Sequence, residues 1–264
     1  MTISHQEHKS LSYPQYKEKS LIEISCLNTP IYKYFPLKYL ISTLQENKLF
    51  IGKVNNWEDV YENFLFKQHL YHEGNPVEWR SHTDGIYGQS WTECKSSDAM
   101  WRIYSNLPRN DSQDEINEVA IRVQTTLSRL IDAVYTSDAC MADTRIGRVE
   151  YLTDNDIYKW LLSKQHLDFG SLNDTMFESL FIKRIPFIHE KEIRIIKILD
   201  STTPHHDMLT YSIANNFFDE FVIDPRIKDA RIVNRIRQIL GNLSLTQVRQ
   251  SELYTLAHRI QFFI

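Results

Sequence analysis

The sequence predicts an α+β fold in a single domain, with a mixed, mostly antiparallel sheet and flanking helices. Short runs of apolar and aromatic residues, typical of strands, alternate with stretches that place apolar residues at helical spacing. No internal repeat, low-complexity run or linker divides the chain. Its 264 residues, 42% of them hydrophobic, are enough to bury one sizeable core.

Each element follows from a local pattern. Strands are predicted where apolar or aromatic residues cluster, at 31–35, 49–51, 86–93, 119–123, 147–152, 187–198, 221–223 and near 247–248. Helices are predicted where apolar residues recur every three or four positions, at 37–44, 64–70, 98–104, 127–134, 153–161, 173–181 and 230–240. Residues 1–28 are expected to form a loose or docking arm ahead of a domain spanning 29–264.

Composition excludes several classes of protein. A net charge of -4 argues against broad, non-specific nucleic-acid binding, although a local basic groove remains compatible with it. Neither glycine-rich nucleotide motif is present, and no cysteine or histidine spacing is typical of zinc, so no metal ligands are assigned. The three cysteines indicate free thiols in a reducing compartment. Without a signal peptide or a run of about 18 apolar residues, the protein is expected to be cytoplasmic and to have no membrane partner.

The most informative stretch follows Pro186, where charged and apolar residues alternate. Successive side chains on a strand point to opposite faces, so Glu190, Glu192 and Arg194 are predicted to share one face. Two carboxylates and a guanidinium in one row either form a local ion-pair lattice or act on a ligand. The pattern leaves both interpretations open.

The order of motifs resembles the bacterial family called domain of unknown function 2971, over about residues 30 to 255. The motifs that carry the resemblance are Tyr-Lys-Tyr at 32–34, Met-Trp-x-x-Tyr at 100–104, Val-x-Tyr at 149–151, Lys-Arg…Glu-Lys-Glu-x-Arg at 183–194 and Ile-x-Asp-Pro-Arg at 223–226. The family's Asn-Asp-Pro-Phe-Glu turn is matched only loosely, at 56–62.

The layout is also similar, more distantly, to that of NAD-dependent ADP-ribosyltransferase toxins. That resemblance implies an ADP-ribosyltransferase-like fold and NAD as the cofactor. Cleavage of the bond to nicotinamide has oxocarbenium character, which a nearby carboxylate stabilises, while aromatic rings hold the nicotinamide. The residues available for these roles are Glu192 and Glu190 as catalytic carboxylates, Tyr34, Trp101 and Tyr104 as rings, and Lys33, Arg194 or Arg102 as the cation.

Three hypotheses follow. The first is an intracellular bacterial effector in toxin or phage-defence biology, an NAD-using enzyme that modifies a protein or nucleic-acid target. The second is a metal-dependent nuclease or other nucleic-acid-acting effector that binds a divalent ion through Glu58, Asp59, Glu62, Glu190 and Glu192. The third is a non-catalytic ligand- or partner-binding module with a structural charged strand. A basic helix with Lys228, Arg231, Arg235 and Arg237 is either an ordinary solvated face or a phosphate-tracking surface.

Overall fold

A computed structural model describes residues 21–24, 26–57, 59, 61–77, 83–137, 144–166, 169–199, 206–245 and 247–256. Its first strands are β1 (Leu21–Ile22), β2 (Pro30–Pro36), β3 (Lys48–Lys53), β4 (Leu70–His72), β5 (Asn75–Val77), β6 (Ile86–Thr92) and β7 (Ala120–Thr126). Its later strands are β8 (Thr144–Arg148), β9 (Glu150–Leu152), β10 (Ile182–Arg184), β11 (Glu192–Ile198), β12 (Met208–Ser212), β13 (Glu220–Ile223) and β14 (Val248–Gln250).

The α-helices are short or of medium length. They are α1 (Leu37–Glu46), α2 (Asp98–Tyr104), α3 (Gln113–Asn117), α4 (Leu127–Ser137), α5 (Asp154–Ser163), α6 (Phe169–Leu180) and α7 (Ala230–Gly241). Single 3-10 segments occur at Val54–Asn56, Phe64–Lys67 and Ile185–Glu190. In the part of the chain that the structure describes, no helix is both long enough and apolar enough to cross a membrane.

The chain divides into two compact units, which are described separately. Unit 1 contains the described residues within 1–31, 49–93 and 126–213, and unit 2 those within 32–48, 94–125 and 214–264. In unit 1 the strands run in the order β12-β3-β6-β11-β8-β1, with β11 antiparallel to both of its neighbours. Strands β9 and β10 form a separate parallel pair. The central position of β11 explains why its residues from Glu192 to Lys197 are all buried.

The strands of unit 2 run in the order β2-β7-β13-β14. Strand β13 is antiparallel to β7 and parallel to β14, which lies at the end of this order. Among the strand pairs whose direction is described, antiparallel pairs outnumber parallel ones, and helices accompany the strands. The predicted α+β class with a mixed, mostly antiparallel sheet and flanking helices is therefore confirmed, whereas the boundary between an arm at 1–28 and a domain at 29–264 stays a prediction.

One apolar cluster of unit 1 lies on one face of its sheet. Ile86 and Ile196 of the sheet pack there with Phe177, Leu180 and Phe181 from α6 and the residues after it. A second apolar cluster, in unit 2, contains Tyr34, Met100, Trp101, Ala120 and Val222. Ile196 and Arg194 lie on the same face of β11, because side chains alternate along a strand. On this face of β11, the charged residues Glu192 and Arg194 therefore lie next to the apolar cluster that contains Ile196.

Two predicted elements are wrong in detail. The predicted helix at 64–70 is a short 3-10 segment followed by the strand β4. The predicted strand at 187–198 begins only at Glu192, because the preceding residues form a 3-10 segment that ends at Glu190. Pro186 at the start of that segment fits a helical turn, since the missing N–H of proline would have no partner there.

Candidate functional site

A lysine ammonium group lies among three carboxylates in unit 1. Lys183 Nζ is 2.5 Å from Glu192 Oε1 and 2.9 Å from Glu190 Oε2. The third carboxylate, that of Glu62, lies 3.3 Å away. None of these four side chains is more than 11% exposed. Buried charges are tolerated only when they are paired and hydrogen-bonded, so these groups depend on one another. Together with Arg194 they are called the Lys183 cluster.

Arg194 holds the opposite side of Glu192. Its Nε donates a hydrogen bond to Glu192 Oε2 at 2.6 Å, and one terminal nitrogen donates to the Leu180 carbonyl at 2.7 Å. The other terminal nitrogen donates to Glu62. The Ser90 hydroxyl donates a further bond to Glu192 Oε2, at 3.0 Å. Both carboxylate oxygens of Glu192 are therefore held by donors, and the carboxylate has a fixed orientation.

The two glutamates of this cluster differ in proton affinity. Burial, followed by the hydrogen bond and charge of Glu192, raises the pKa of Glu190 to about 7. Burial would also raise the pKa of Glu192, but Arg194, the hydrogen bond with Glu190 and the charge of Lys183 together outweigh burial and lower that pKa well below its ordinary value. When all five groups are ionised, three carboxylates face two cations. Protonation of Glu190 neutralises the cluster, so this is the carboxyl group expected to exchange its proton near neutral pH.

A turn in the chain places Glu190 beside Glu192. Glu190 ends the 3-10 segment, and Lys191 adopts a left-handed conformation with a φ of 43°. The Lys191 N–H donates to the Ile188 carbonyl and closes the turn. The Glu192 N–H then donates to the Tyr151 hydroxyl at 2.9 Å. The two carboxylates thus meet through a turn, rather than through the strand alternation that the sequence predicted.

Trp57 covers the buried guanidinium of Arg194. The centre of the Trp57 ring lies 4.6 Å from Arg194 Cζ, a distance at which cation–π attraction is favourable. The same ring packs against Gly88 on the neighbouring strand β6. A Cβ atom at Gly88 would lie 2.5 Å from Trp57 Cζ2 and 2.9 Å from Ile196 Cδ1. Glycine is therefore required at position 88 for this close approach.

A partly exposed group of polar and aromatic side chains adjoins the Lys183 cluster. Arg184 forms an ion pair with Asp59 at 3.0 Å and lies over the Tyr61 ring at 4.3 Å. The centre of the Phe187 ring lies 4.6 Å from Lys183 Nζ and 5.6 Å from Arg184 Cζ. This ring therefore connects the Lys183 cluster with the group around Arg184. Among the described residues, Arg184 Nε and Asp59 Oδ2 are buried atoms without a hydrogen-bond partner. Such atoms favour a polar ligand at this position.

The predicted aromatic residues lie in unit 2. Tyr34 and Trp101 make an edge-to-face contact at 4.7 Å, and Tyr104 stacks on Tyr34 at 6.5 Å. Tyr34 and Trp101 are buried, whereas Tyr104 is 38% exposed. Lys33 Nζ lies 5.3 Å from the centre of the Phe35 ring. Within unit 2 the structure thus brings the three rings together and leaves one of them accessible.

The site residues predicted from the sequence therefore fall into two groups, one in each unit. Glu190, Glu192 and Arg194 meet in unit 1, and Tyr34, Trp101 and Tyr104 meet in unit 2. The role predicted for Arg194 in holding NAD stays a prediction. Its side chain is 0% exposed, and its nitrogens donate to protein groups. The prediction overlooked Lys183, Arg184 and Ser90 as site residues, although Lys183 and Arg184 lie in a motif that carried the family resemblance.

The metal-dependent hypothesis placed a divalent ion among the acidic residues of unit 1. Glu58 lies outside the described residues. Three of the others surround the Lys183 ammonium group, which supplies the positive charge that an ion would bring, and Asp59 pairs with Arg184. Within the described ranges no group of three or more His, Cys, Asp or Glu side chains is placed to hold a metal ion.

Comparisons with known proteins give low similarity. No family model matches the chain, so the resemblance to domain of unknown function 2971 stays a prediction, and no curated protein matches significantly. Among solved structures, the chain is similar to DarT from Thermus sp. 2.9 in complex with NAD+, with 12% identity and a TM-score of 0.39 over 87% of this chain and 98% of that chain. The chain is also similar to DarT from Thermus sp. 2.9 in complex with ADP-ribosylated ssDNA. The identity is 13% and the TM-score is 0.37, over 85% of this chain and 95% of that chain.

Proposed function

We propose that unit 1 carries the catalytic centre of an NAD-using enzyme of the ADP-ribosyltransferase type. One observation carries the proposal: two buried glutamates share one lysine, and one has a pKa near 7 while the other is held ionised. Titratable pairs whose pKa values are pushed apart are typical of acid–base sites. The sequence motifs around the same residues suggest the chemistry.

Glu192 is proposed to stabilise the charge that develops on the substrate. When the bond between ribose C1′ and the nicotinamide nitrogen breaks, the electron pair leaves with nicotinamide and the ribose gains oxocarbenium character. A carboxylate that is already oriented stabilises this charge without reorganisation. Arg194 and Ser90 supply that orientation, because both donate to Glu192 Oε2.

Glu190 is proposed to act as the general base. The acceptor nucleophile forms the new bond to C1′, and its proton passes to the Glu190 carboxylate. A base with a pKa near the working pH combines an adequate ionised fraction with sufficient basicity. The value of about 7 for Glu190 meets this requirement, whereas the strongly lowered pKa of Glu192 does not.

The group beside the cluster is proposed to hold NAD. Arg184 would bind the pyrophosphate, since its Nε has no hydrogen-bond partner among the described residues. The partly exposed rings of Tyr61 and Phe187 would contact the nicotinamide or the adenine. The roles predicted for Lys33, Tyr34, Trp101, Tyr104 and Arg194 in NAD binding stay predictions. The acceptor is proposed to be a protein or a nucleic acid, in toxin or phage-defence biology.

Thermal unfolding with and without NAD+ tests the binding part of this proposal. A ligand that binds only the folded protein raises its melting temperature. We expect NAD+ to raise the melting temperature of the wild type, and Arg184→Met to abolish that increase. Arg148→Met is the matched control, because Arg148 is also a partly exposed arginine of unit 1 paired with a carboxylate. An NAD+ effect that is absent in the wild type, or unchanged in Arg184→Met, would contradict the proposal.

A second candidate function is the non-catalytic binding module. The observation that favours it is the saturation of Glu192, whose side chain is 4% exposed and whose oxygens are both hydrogen-bonded. In that case the cluster only stabilises unit 1. Glu192→Gln would then lower the melting temperature, and NAD+ would shift the melting curve of neither protein. Under the catalytic proposal, Glu192→Gln still binds NAD+ and fails to cleave it.

A further inference from the structure

Helix α7 in unit 2 has two sharply different faces. Ile232, Val233, Ile236 and Leu240 are buried, and the opposite face is exposed. Every polar side chain of that face carries N–H donors, and the helix itself contains no acidic residue; the exposed polar residues are Arg231, Asn234, Arg235, Arg237 and Gln238. Asp229, which caps the helix, pairs with Arg231, whereas Arg235 and Arg237 lie farther along the helix. A face rich in cationic donors is complementary to a polyanion.

This face stands out from the rest of the protein. The chain has 34 acidic and 30 basic residues, so an average stretch carries slightly more negative than positive charge. Helix α5, which is also exposed, follows that average and carries Asp154 and Asp156 together with Lys159. Helix α7 concentrates three arginines in 12 residues. Mixed charges are expected of a face that only contacts solvent, and α7 departs from that expectation.

A polar cavity lies next to this helix. It has a volume of about 430 Å³ and is lined by Gln124, Asp219, Glu220, Gln247, Val248 and Arg249. Arg237 Nε donates a long hydrogen bond, at 3.4 Å, to the carbonyl of Val248, one of the lining residues. The basic face and the cavity therefore form a continuous surface within unit 2.

The walls of the cavity present hydrogen-bonding groups in a fixed arrangement. Glu220 is held between Arg122 and Arg249, and the Arg122 side chain is 4% exposed. Two amides, those of Gln124 and Gln247, add groups that both donate and accept. Amide, carboxylate and guanidinium groups are the ones that read the edges of nucleobases. The volume lies within the range of small-ligand sites and suits one base.

We propose that unit 2 binds single-stranded nucleic acid, with the phosphates along the exposed face of α7 and one unpaired base in the cavity. A base enters such a cavity only when it is unstacked and unpaired, which favours single strands over duplexes. The arginines of α7 supply the sequence-independent part of the affinity. This inference concerns binding alone and does not depend on the proposed NAD chemistry.

Fluorescence anisotropy with labelled 12-nucleotide homopolymers, without NAD+ and at two salt concentrations, tests the proposal. DNA and RNA strands are compared with a DNA duplex. We expect single strands to bind at low salt, with affinity falling as salt rises. Arg235→Glu should weaken binding by about tenfold or more and make the salt dependence shallower. Lys159→Glu on α5 is the matched charge reversal and should change the affinity less than about twofold.

The cavity is tested with Gln247→Ala. We expect the wild type to prefer one homopolymer and this variant to lose that preference, whereas the salt dependence of the variant remains that of the wild type because phosphate contacts are unchanged. Circular dichroism confirms that each variant is folded. The proposal is overturned if no single strand binds, if Arg235→Glu and Lys159→Glu behave alike, if the duplex binds as well as single strands, or if vesicles of anionic lipid bind α7 with equal salt dependence.

Discussion

Glu190 and Glu192 share the ammonium group of Lys183, at 2.9 and 2.5 Å, and yet their pKa values move in opposite directions. Arg194 contributes to the difference, since it donates a hydrogen bond to Glu192 and lowers its pKa. Two carboxylates in contact cannot both ionise freely, so the one nearer to the second cation keeps its charge. The placement of Arg194 beside Glu192 therefore favours Glu190 as the carboxyl group that takes up a proton.

Lys183→Met should strongly destabilise unit 1. The change removes the cation that three buried carboxylates share, and an uncompensated buried charge costs about 3–5 kcal/mol. The free energy of unfolding, measured with urea, should fall by that amount. Lys191→Met is the control, because this neighbouring lysine is exposed. Equal effects for the two variants would show that the cluster carries no special energetic weight.

Glu190→Gln should change how stability depends on pH. The pKa of Glu190 in the folded protein, about 7, exceeds its ordinary value of 4.5, so the folded state binds the proton more tightly. The protonated Glu190 therefore adds to the free energy of unfolding. This contribution is fully present below pH 4.5 and is lost as the pH rises through 7. Between pH 5 and 8 the wild type should therefore lose stability relative to Glu190→Gln, by on the order of 2 kcal/mol. Denaturation curves at several pH values measure the difference, and parallel pH profiles would refute the assignment.

Gly88→Ala should displace Trp57 from Arg194. The added methyl group would lie 2.5 Å from the Trp57 ring, and overpacking of this kind typically costs 1–3 kcal/mol. Gly52→Ala is the matched control on strand β3, where no atom lies within 4 Å of the new carbon. The free energy of unfolding and the tryptophan fluorescence spectrum report the change. If the contact with Trp57 is responsible, the alanine at position 88 should cost less in a Trp57→Ala background than in the wild type, because only the contact with Ile196 Cδ1 remains there.

Arg226→Ala should destabilise unit 2. Arg226 pairs with the fully buried Asp224 and donates to the carbonyls of Trp101 and Ser105 at the end of α2. Its loss leaves a buried carboxylate and two carbonyls without this donor, which should cost about 2–4 kcal/mol.

Arg231→Ala provides the comparison for that variant. Arg231 also pairs with an aspartate two residues before it, but its side chain is 83% exposed. Exposed ion pairs contribute little to stability, because solvent screens the two charges. Chemical denaturation should therefore show a much larger loss for Arg226→Ala, and similar losses would contradict the role assigned to Asp224 and Arg226.

Much of the fold follows from local patterns. The helix at 37–44 and the strand at 86–93 are found as α1 and β6, because each has strong apolar periodicity. The strand predicted at 147–152 is two strands, β8 and β9, interrupted at Val149. Short elements such as β1 and β10 were not predicted, because two or three residues carry no recognisable period and the pairing partner stabilises them.

The candidate site was only partly predictable. The alternation after Pro186 indicated that Glu192 and Arg194 share a face, which holds because both lie on β11. Glu190 reaches the same cluster by a left-handed turn at Lys191, and no sequence pattern distinguishes that turn from a continued strand. Glu62 comes from a segment more than 100 residues away in the chain, since its bond to Arg194 spans 132 positions. Contacts of that separation depend on the tertiary fold.

The rate at which nicotinamide is released from NAD+ tests whether Glu190 acts as the general base of an NAD-cleaving enzyme. The wild type is compared with Glu190→Gln at pH 7.5, with Glu178→Gln as the control, since Glu178 is an exposed glutamate of unit 1 paired with Lys164. We expect release by the wild type and by Glu178→Gln, and a rate about 100-fold or more lower for folded Glu190→Gln. Absence of release by the wild type with protein and nucleic-acid acceptors present, or an unchanged rate in Glu190→Gln, would contradict this role.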